Sequence, residues 1–279
     1  MKLAILSDSH GNWPGLTTVV EHIERWQPDQ VAVLGDVVNR GPNSARCWDF
    51  VQRMRRERGW LATLGNHEEY VINQSLPQAA RAGIPFDVYR PSFWTYEQLG
   101  RDVSALQALP FSLDEWFDGT IVRLTHASML GTREGIFPFT RDDELPAMIG
   151  EPVPALLAVG HTHQPLVRSL GDTLVVNAGA SGMPFDGDWR VSYAQLELRR
   201  GKWQGRIIRL EYDRAQAERD FDEAGFIAGG GPLARVMLRE LQVASGLLYT
   251  FLQRYEPPVL AGEITLEDAV DEFLEGTGK

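Results

Sequence analysis

Five of the six histidines in this chain stand in short motifs beside carboxylates, asparagines and glycines. The motifs are Asp8-Ser9-His10-Gly11-Asn12, Gly65-Asn66-His67-Glu68, the lone His126, and Gly160-His161-Thr162-His163. A further carboxylate, Asp36, lies in Gly35-Asp36-Val37-Val38-Asn39-Arg40-Gly41. Imidazole nitrogens, carboxylates and amide oxygens form a mixed donor set that suits manganese, iron or zinc better than calcium, with manganese the first expectation. No cysteine joins them, which argues against a closed structural zinc site. The chemistry implied is hydrolysis at a pair of cations. Such a pair clamps the attacking and leaving oxygens of an in-line displacement and makes a metal-bound hydroxide available near neutral pH as nucleophile. A bridging carboxylate offsets part of the repulsion between the two ions.

Each motif follows a short apolar run: residues 3–6, 31–34, 61–64, 121–124 and 156–159. Their length and β-branched content read as buried strands, which would gather the donors where the strands of an α/β sheet end. Asp8 and His10, and likewise His161 and His163, are alternate residues, expected on one face of an extended segment. Residues 13–27 carry Leu16, Val19, Val20, Ile23 and Trp26 at helical spacing, so the chain opens as a βαβ unit. Asn43 or Ser44 is expected to cap a second helix running through Trp48, Val51 and Met54 to Arg58, with Gly59 as its stop. Residues 69 to about 116 interrupt the strand rhythm and read as a helical insert over one edge of the strands. Its aromatics Tyr70, Phe86, Tyr89, Phe93, Trp94 and Tyr96 are expected to form mainly its own core, with a minority lining a substrate cleft as the alternative.

After His163, residues 173–176, 191–198 and 206–211 read as strands of a second sheet. Beyond Asp213 the pattern turns helical over 215–224 and breaks at Gly229-Gly230-Gly231-Pro232. It resumes as one long helix over 233–255 that Pro257-Pro258 would end, and closes with a short helix over 265–274 capped by Thr265. The glycine triplet has no strand before it and no Gly-Lys-Ser/Thr after it, so it reads as a hinge and not a phosphate loop. Two units are expected: residues 1–213 with the insert, and a helical extension, 214–279, packed on the same domain.

The chain has 279 residues, of which 43% are hydrophobic and 23% charged, ordinary values for a soluble globular protein. A net charge of −11 argues against a general nucleic-acid or anionic-membrane surface. It leaves room for an anionic substrate, because bound cations reverse the local sign. The single cysteine, Cys47, excludes an intrachain disulfide, fits a reducing compartment and reads as a small packing residue beside Trp48. The apolar start is too short for a signal peptide, and no stretch approaches the roughly 18 apolar residues of a membrane span. A cytoplasmic enzyme is the expectation. His22 reads as solvent-facing on the first helix.

Taken in order, Asp-x-His, Gly-Asp-x-x-x-Arg-Gly, Gly-Asn-His-Glu, a single His and Gly-His-x-His resemble the calcineurin-like metallophosphoesterase superfamily. The resemblance covers about residues 1–211 and points to the branch of small bacterial phosphodiesterases and dinucleoside-polyphosphate hydrolases. It implies an α/β fold, a four-layer α/β/β/α sandwich of two mixed sheets, with the insert and C-terminal helices flanking it. It implies one metal held by Asp8, His10, Asp36 and His163, and another by Asp36, Asn66, His126 and His161, with Asp36 bridging. His67 would act near the leaving group, and its place beside Asn66 suits either donating a proton to the departing alkoxide or hydrogen-bonding a phosphate oxygen. Arg40 would meet phosphate, whose oxygens a guanidinium matches bidentately. Asn12 is expected to hold Asp36 or a ligand from behind. Asn177-Ala178-Gly179-Ala180-Ser181-Gly182 would turn beside the site, with Ala180 where small bacterial members more usually have serine.

The expected function is dimetal-dependent hydrolysis of a phosphodiester, phosphomonoester or phosphoanhydride in a small or nucleotide-like substrate. A Ser/Thr phosphoprotein phosphatase is the alternative. The chain shares Arg40 and Asn66-His67-Glu68 with that group, but has Leu64 where its members open Arg-Gly-Asn-His-Glu. A non-catalytic scaffold with the same fold is a second alternative, which the intact ligand positions oppose. The apolar 233–255 segment is expected either to pack within the chain or to form a homodimer interface.

Overall fold

The computed structural model describes residues 1–277. The chain opens with β1 (Lys2–Leu6), α1 (Trp13–Trp26), β2 (Gln30–Val33), α2 (Ser44–Arg58) and the short β3 (Leu61–Ala62). β1 pairs with β2 and β2 with β3, both in parallel, so the expected βαβ opening is present. Next come α3 (Asn66–Asn73), α4 (Gly83–Gln98) and α5 (Ser104–Gln107), then the hairpin β4 (Ser112–Phe117) and β5 (Thr120–Thr125). α6 (Leu145–Ile149), β6 (Leu156–Val159), β7 (Leu166–Leu170), β8 (Thr173–Asn177), β9 (Val191–Arg199) and β10 (Lys202–Leu210) follow. The chain ends in α7 (Arg214–Glu223), α8 (Phe226–Gly229), α9 (Leu233–Val243), α10 (Leu248–Leu260) and α11 (Leu266–Gly276).

Two mixed five-stranded sheets result, ordered β10-β9-β1-β2-β3 and β4-β5-β6-β8-β7. Strand side chains alternate faces, and this alternation sorts the residues into layers. Leu3 and Ile5 of β1, Ala32 and Leu34 at β2, Leu156 and Ala158 of β6, and Ala194 and Leu196 of β9 fill the space between the sheets. Their neighbours Ala4, Leu6, Val31 and Val33 face outward onto Leu16, Val19 and Ile23 of α1 and Cys47 and Val51 of α2. On the other sheet Leu157, Val159 and Val175 face outward onto Ile136 and α6. The order is α/β/β/α, with a thin fourth layer.

The C-terminal helices build two satellite cores. Val236, Phe251, Tyr255, Val270 and Phe273 form one, against Ile84 and Val88 of α4. Phe221, Phe226, Ala234, Met237 and Leu241 form the other, with Trp94 of α4 packed on it. The apolar side of α9 is thus covered by the chain itself. No helix among the described residues is long and apolar enough to cross a membrane.

Several expectations require correction. The segment 112–117 is not part of a helical insert but an edge strand, half-buried and paired antiparallel with β5. β7 was not expected; it too is an edge strand, alternately half-buried and exposed. The 233–255 segment is two helices, because Ala244 adopts a left-handed conformation (φ 50°) and closes α9. Pro257 and Pro258 lie within the last turn of α10 rather than beyond its end. Cys47 is fully buried in α2, and burial pushes its thiol pKa far up. Replacing Phe251 with Ala is expected to destabilise the protein by about 3–5 kcal/mol, read as a lower urea midpoint at an unchanged slope. A loss below about 1 kcal/mol would show that this aromatic cluster does not hold the C-terminal helices.

Candidate metal centre

The donors stand just past the C-terminal ends of β1, β2, β3, β5 and β6, on one rim shared by both sheets. The backbone there is not extended. Asp8 (φ 56°), His10 (φ 46°), Asp36 (φ 53°), His161 (φ 67°) and His163 (φ 56°) are all left-handed, at a cost of roughly 1–2 kcal/mol for each non-glycine residue. Expecting alternate residues on one face of a strand was therefore wrong in mechanism. The chain curls as it leaves each strand, and the curl turns the side chains toward a common point. His161 and His163 consequently serve two different donor groups. Backbone bonds hold these curls: Asp8 N–H donates to Gly35 O (3.2 Å), His10 N–H to Asp36 O (2.9 Å), and Gly160 N–H to His126 O (2.7 Å). Two glycines are required by space. A Cβ on Gly65 would lie 2.1 Å from Asp36 Oδ1, and one on Gly160 would lie 2.0 Å from Ser7 Oγ.

Asp8, His10, Asp36 and His163 each bring one donor atom within 4.8 Å of the others, and Asp36, His126 and His161 do the same. Asn66 joins the second group, its Oδ1 lying 3.0 Å from His126 Nε2 and 2.9 Å from His161 Nδ1. The protonation pattern tests whether these atoms fit a metal. His163 Nδ1 donates to Met183 O, and His126 Nδ1 donates to Leu34 O (2.6 Å). A carbonyl only accepts, so in each neutral ring Nε2 carries a lone pair. The His163 lone pair faces His10 Nε2 at 3.2 Å and Asp8 Oδ1 at 3.3 Å. Asp8 Oδ1 is buried and has no hydrogen-bond donor. The His126 lone pair faces Asn66 Oδ1 and, at 3.4 Å, Asp36 Oδ2. Converging lone pairs repel unless a cation lies among them. Ligands about 2.1 Å from a shared ion and at right angles lie about 3 Å apart, which is the spacing found. Burial disfavours charge on His126, yet the Asp36 and Asp8 carboxylates push its pKa up to about 10. That is the same attraction for positive charge expressed toward a proton.

Residues behind the donors fix their positions, and most of these went unassigned in the sequence. The buried Glu68 carboxylate accepts from four backbone N–H groups: Asp36 (2.7 Å), Val37 (2.8 Å), Val38 (3.3 Å) and Gly65 (3.0 Å). It ties the Asp36 loop to the start of α3. Burial and the adjacent Asp36 push Glu68 up to about 7, while the N–H donors favour its ionised form. Asn177 Nδ2 donates to Gly160 O (2.7 Å) and Thr162 Oγ1 (2.9 Å), shaping the loop that carries His161 and His163. Asn12 does not hold Asp36. It caps α1, accepting from Gly15 N–H (3.0 Å) and donating to Gly182 O (2.7 Å). The 177–182 segment works from behind, with Ser181 N–H on Ser7 O (2.8 Å). His22 is half-buried and bonded to Tyr193 Oη (2.7 Å), which corrects its solvent-facing reading.

His67 and Arg40 line a cleft of about 300 Å³ that opens onto Asp36, Asn66, His161 and His163. Asn39 lies 3.0 Å from His67 Nδ1. Arg40 packs over Phe185 (5.1 Å) and ion-pairs with the buried Glu240 of α9, whose other oxygen accepts from Leu247 and Leu248 N–H. Phe185 in turn stacks on His163 at 4.1 Å. No sequence signal could have found Glu240, one of three charged residues on α9 and 200 residues from Arg40.

Fold and site together define a metal-dependent phosphoric ester hydrolase, and the donor set points to a dimetal centre. The chain belongs to the calcineurin-like phosphoesterase family, whose model matches residues 1–165. An uncharacterised protein of Methanocaldococcus jannaschii is 27% identical over 234 residues, 77% of this chain and 89% of that protein. A metallophosphoesterase structure from Sphaerobacter thermophilus is 26% identical with a TM-score of 0.67, covering 88% of this chain and 100% of its own. A hypothetical protein of Pyrococcus horikoshii, 20% identical, shares the fold with a TM-score of 0.70 over 84% of this chain and 97% of its own.

Replacing Glu68 with Gln sets an amide N–H against backbone N–H donors. The expected result is a loss of roughly 1–3 kcal/mol in stability and roughly 10–100-fold weaker metal binding, read by denaturation and by metal titration. Unchanged metal affinity would leave Glu68 a packing residue only.

Proposed function

We propose that Asp8, His10, Asp36 and His163 hold one metal ion, that Asp36, Asn66, His126 and His161 hold a second, and that Asp36 bridges them. The observation that carries this reading is Asp36 Oδ2, 3.5 Å from His10 Nε2 and 3.4 Å from His126 Nε2, so that one carboxylate belongs to both groups. Manganese is the ion proposed, with iron or zinc suited to the same donors. Such a pair, when bound, supplies Lewis acidity toward phosphoryl oxygens and an acidified water.

The chain's own residues orient the ester and handle the leaving group. Arg40 N–H donates to Asn39 Oδ1 (3.0 Å), which turns Asn39 Nδ2 toward Ser92 Oγ and His67 Nδ1. Nδ1 of His67 is then an acceptor, and the ring proton sits on Nε2. Burial, reinforced by Arg40 and opposed by Asp36, brings the His67 pKa down to about 3. His67 is therefore a neutral hydrogen-bond donor, whose Nε2–H stabilises the negative charge that develops on the leaving oxygen. Arg40 offers a phosphoryl oxygen the N–H groups that Glu240 leaves free. Helices α4, α9 and α10 wall the cleft, which favours a small ester over a phosphoprotein surface.

Replacing Asp36 with Asn is expected to abolish turnover on every ester and to lower bound metal, measured by elemental analysis. Near-wild-type activity at full metal content would refute the bridge. Replacing His67 with Ala is expected to retain metal while slowing turnover roughly 10²–10⁴-fold, most for esters of weakly acidic alcohols. Equal slowing across leaving groups would reduce His67 to a phosphate contact.

A further inference from the structure

The cleft has a polar floor and an apolar roof. The floor is the cleft-lining part of the donor cluster, Asp36, Asn66, His161 and His163, with Arg40 and His67. The roof is contributed by the insert and the C-terminal helices: Val88 and Tyr89 of α4, Leu233 and Met237 of α9, and Tyr249 and Leu252 of α10. Tyr89 and Tyr249 are left 48% and 72% exposed at its mouth. Tyr70 links roof to floor, its ring 6.4 Å from Tyr89 and 5.2 Å from His67. Large rings facing a cavity present flat apolar area with a polar edge, the surface an aromatic ligand covers best.

Charge on the walls is equally one-sided. Among the described residues that line the cleft, Arg40 is the only arginine or lysine, and Glu240 already neutralises it. The outer wall carries Glu256, exposed and without an ion pair among the described residues. A phosphate beyond the scissile one would meet no cation there and would face a carboxylate. The volume, about 300 Å³, stands at the low end of the roughly 300–1,000 Å³ typical of small-ligand pockets, which suits one ring system.

Building on the phosphoesterase reading, we infer that the substrate carries a single phosphoryl group on an uncharged organic part with an aromatic ring, and that the roof around Tyr89, Tyr249 and Leu252 selects that ring. A polyphosphate chain has the wrong distribution of charge for this cleft. Tyr249 acts on specificity through stacking, and Glu256 through repulsion of a second anion.

The test compares kcat/KM of the full-length, Mn²⁺-loaded protein on phenyl phosphate, 2-naphthyl phosphate and hydroquinone bisphosphate. In parallel, uncharged 2-naphthol is titrated into metal-free protein and followed by isothermal titration calorimetry. The expected order is naphthyl above phenyl above bisphosphate. Tyr249→Ala is expected to lower kcat/KM for the naphthyl ester roughly 5- to 100-fold through KM, and to weaken naphthol binding alike. Glu256→Lys is expected to raise bisphosphate turnover to or above that of phenyl phosphate. Equal kcat/KM for the naphthyl and phenyl esters, or a bisphosphate preference in the wild type, overturns the inference while leaving the phosphoesterase reading intact. Naphthol binding lost in Tyr249→Ala, with no ester hydrolysed by the wild type, overturns the phosphoesterase reading and keeps the aromatic site. Absence of both overturns both.

Discussion

One buried carboxylate must remain ionised, fixed in direction and shared between two groups of imidazoles, and the architecture around the rim follows from that constraint. Burial opposes charge on Asp36, but His126, His67 and His10 favour it more strongly and hold its pKa well below the usual carboxylate range. Its Oδ1 is taken by His67 N–H (2.9 Å), which leaves Oδ2 for both donor groups. Its own N–H is fixed by Glu68. Gly65 is where it is because any side chain there would occupy the place of that Oδ1. The Gly-Asp and Gly-Asn-His-Glu motifs are thus two halves of one device, the first supplying the carboxylate and the second supplying its orientation.

Such a device needs a stiff base. Five donors sit in left-handed backbone, and strain of that kind persists only where the surroundings over-determine it. The sandwich provides this. The strands carrying the donors are buried on both faces, with β1 and β2 between α1, α2 and the second sheet, and β6 between the first sheet and α6. A donor on a rigid strand end can be held to within about 0.5 Å of a productive position; one on a free loop cannot.

This division explains what the sequence discloses. The donor strands announce themselves as apolar runs because they are buried on both sides, and the donors because their residue types are costly to place together without a cation. Edge strands β4 and β7 are half-buried and carry polar residues such as Asp114, Glu115, Arg168 and Ser169, so periodicity passes over them. The break after α9 falls at Ala244, a residue type that gives no warning of a left-handed turn. Glu68, Asn39 and Asn177 stand in or beside legible motifs, yet their roles depend on which backbone groups come within reach, and that is a tertiary fact. The pairing of Arg40 with Glu240 is the extreme case, since nothing local distinguishes Glu240 from any other charge on a helix.

That pairing also locates where this chain differs from a bare sandwich. The donor cluster fits the phosphoric ester chemistry of the family; it says nothing of what the phosphoryl group is attached to. α9 reaches the site twice, gripping Arg40 through Glu240 and carrying Leu233 and Met237 into the cleft. α10 follows directly, its first amides bound to the same Glu240. The direction of the Arg40 guanidinium and the placement of the first turn of α10 are therefore set by one carboxylate. A shift of α9 moves both together, so on the proposed reading the group that meets the phosphoryl oxygen and the surface that meets the organic part are mechanically coupled. Changes in the C-terminal helices should accordingly alter specificity and rate jointly, even though no residue of those helices touches the proposed metal ions.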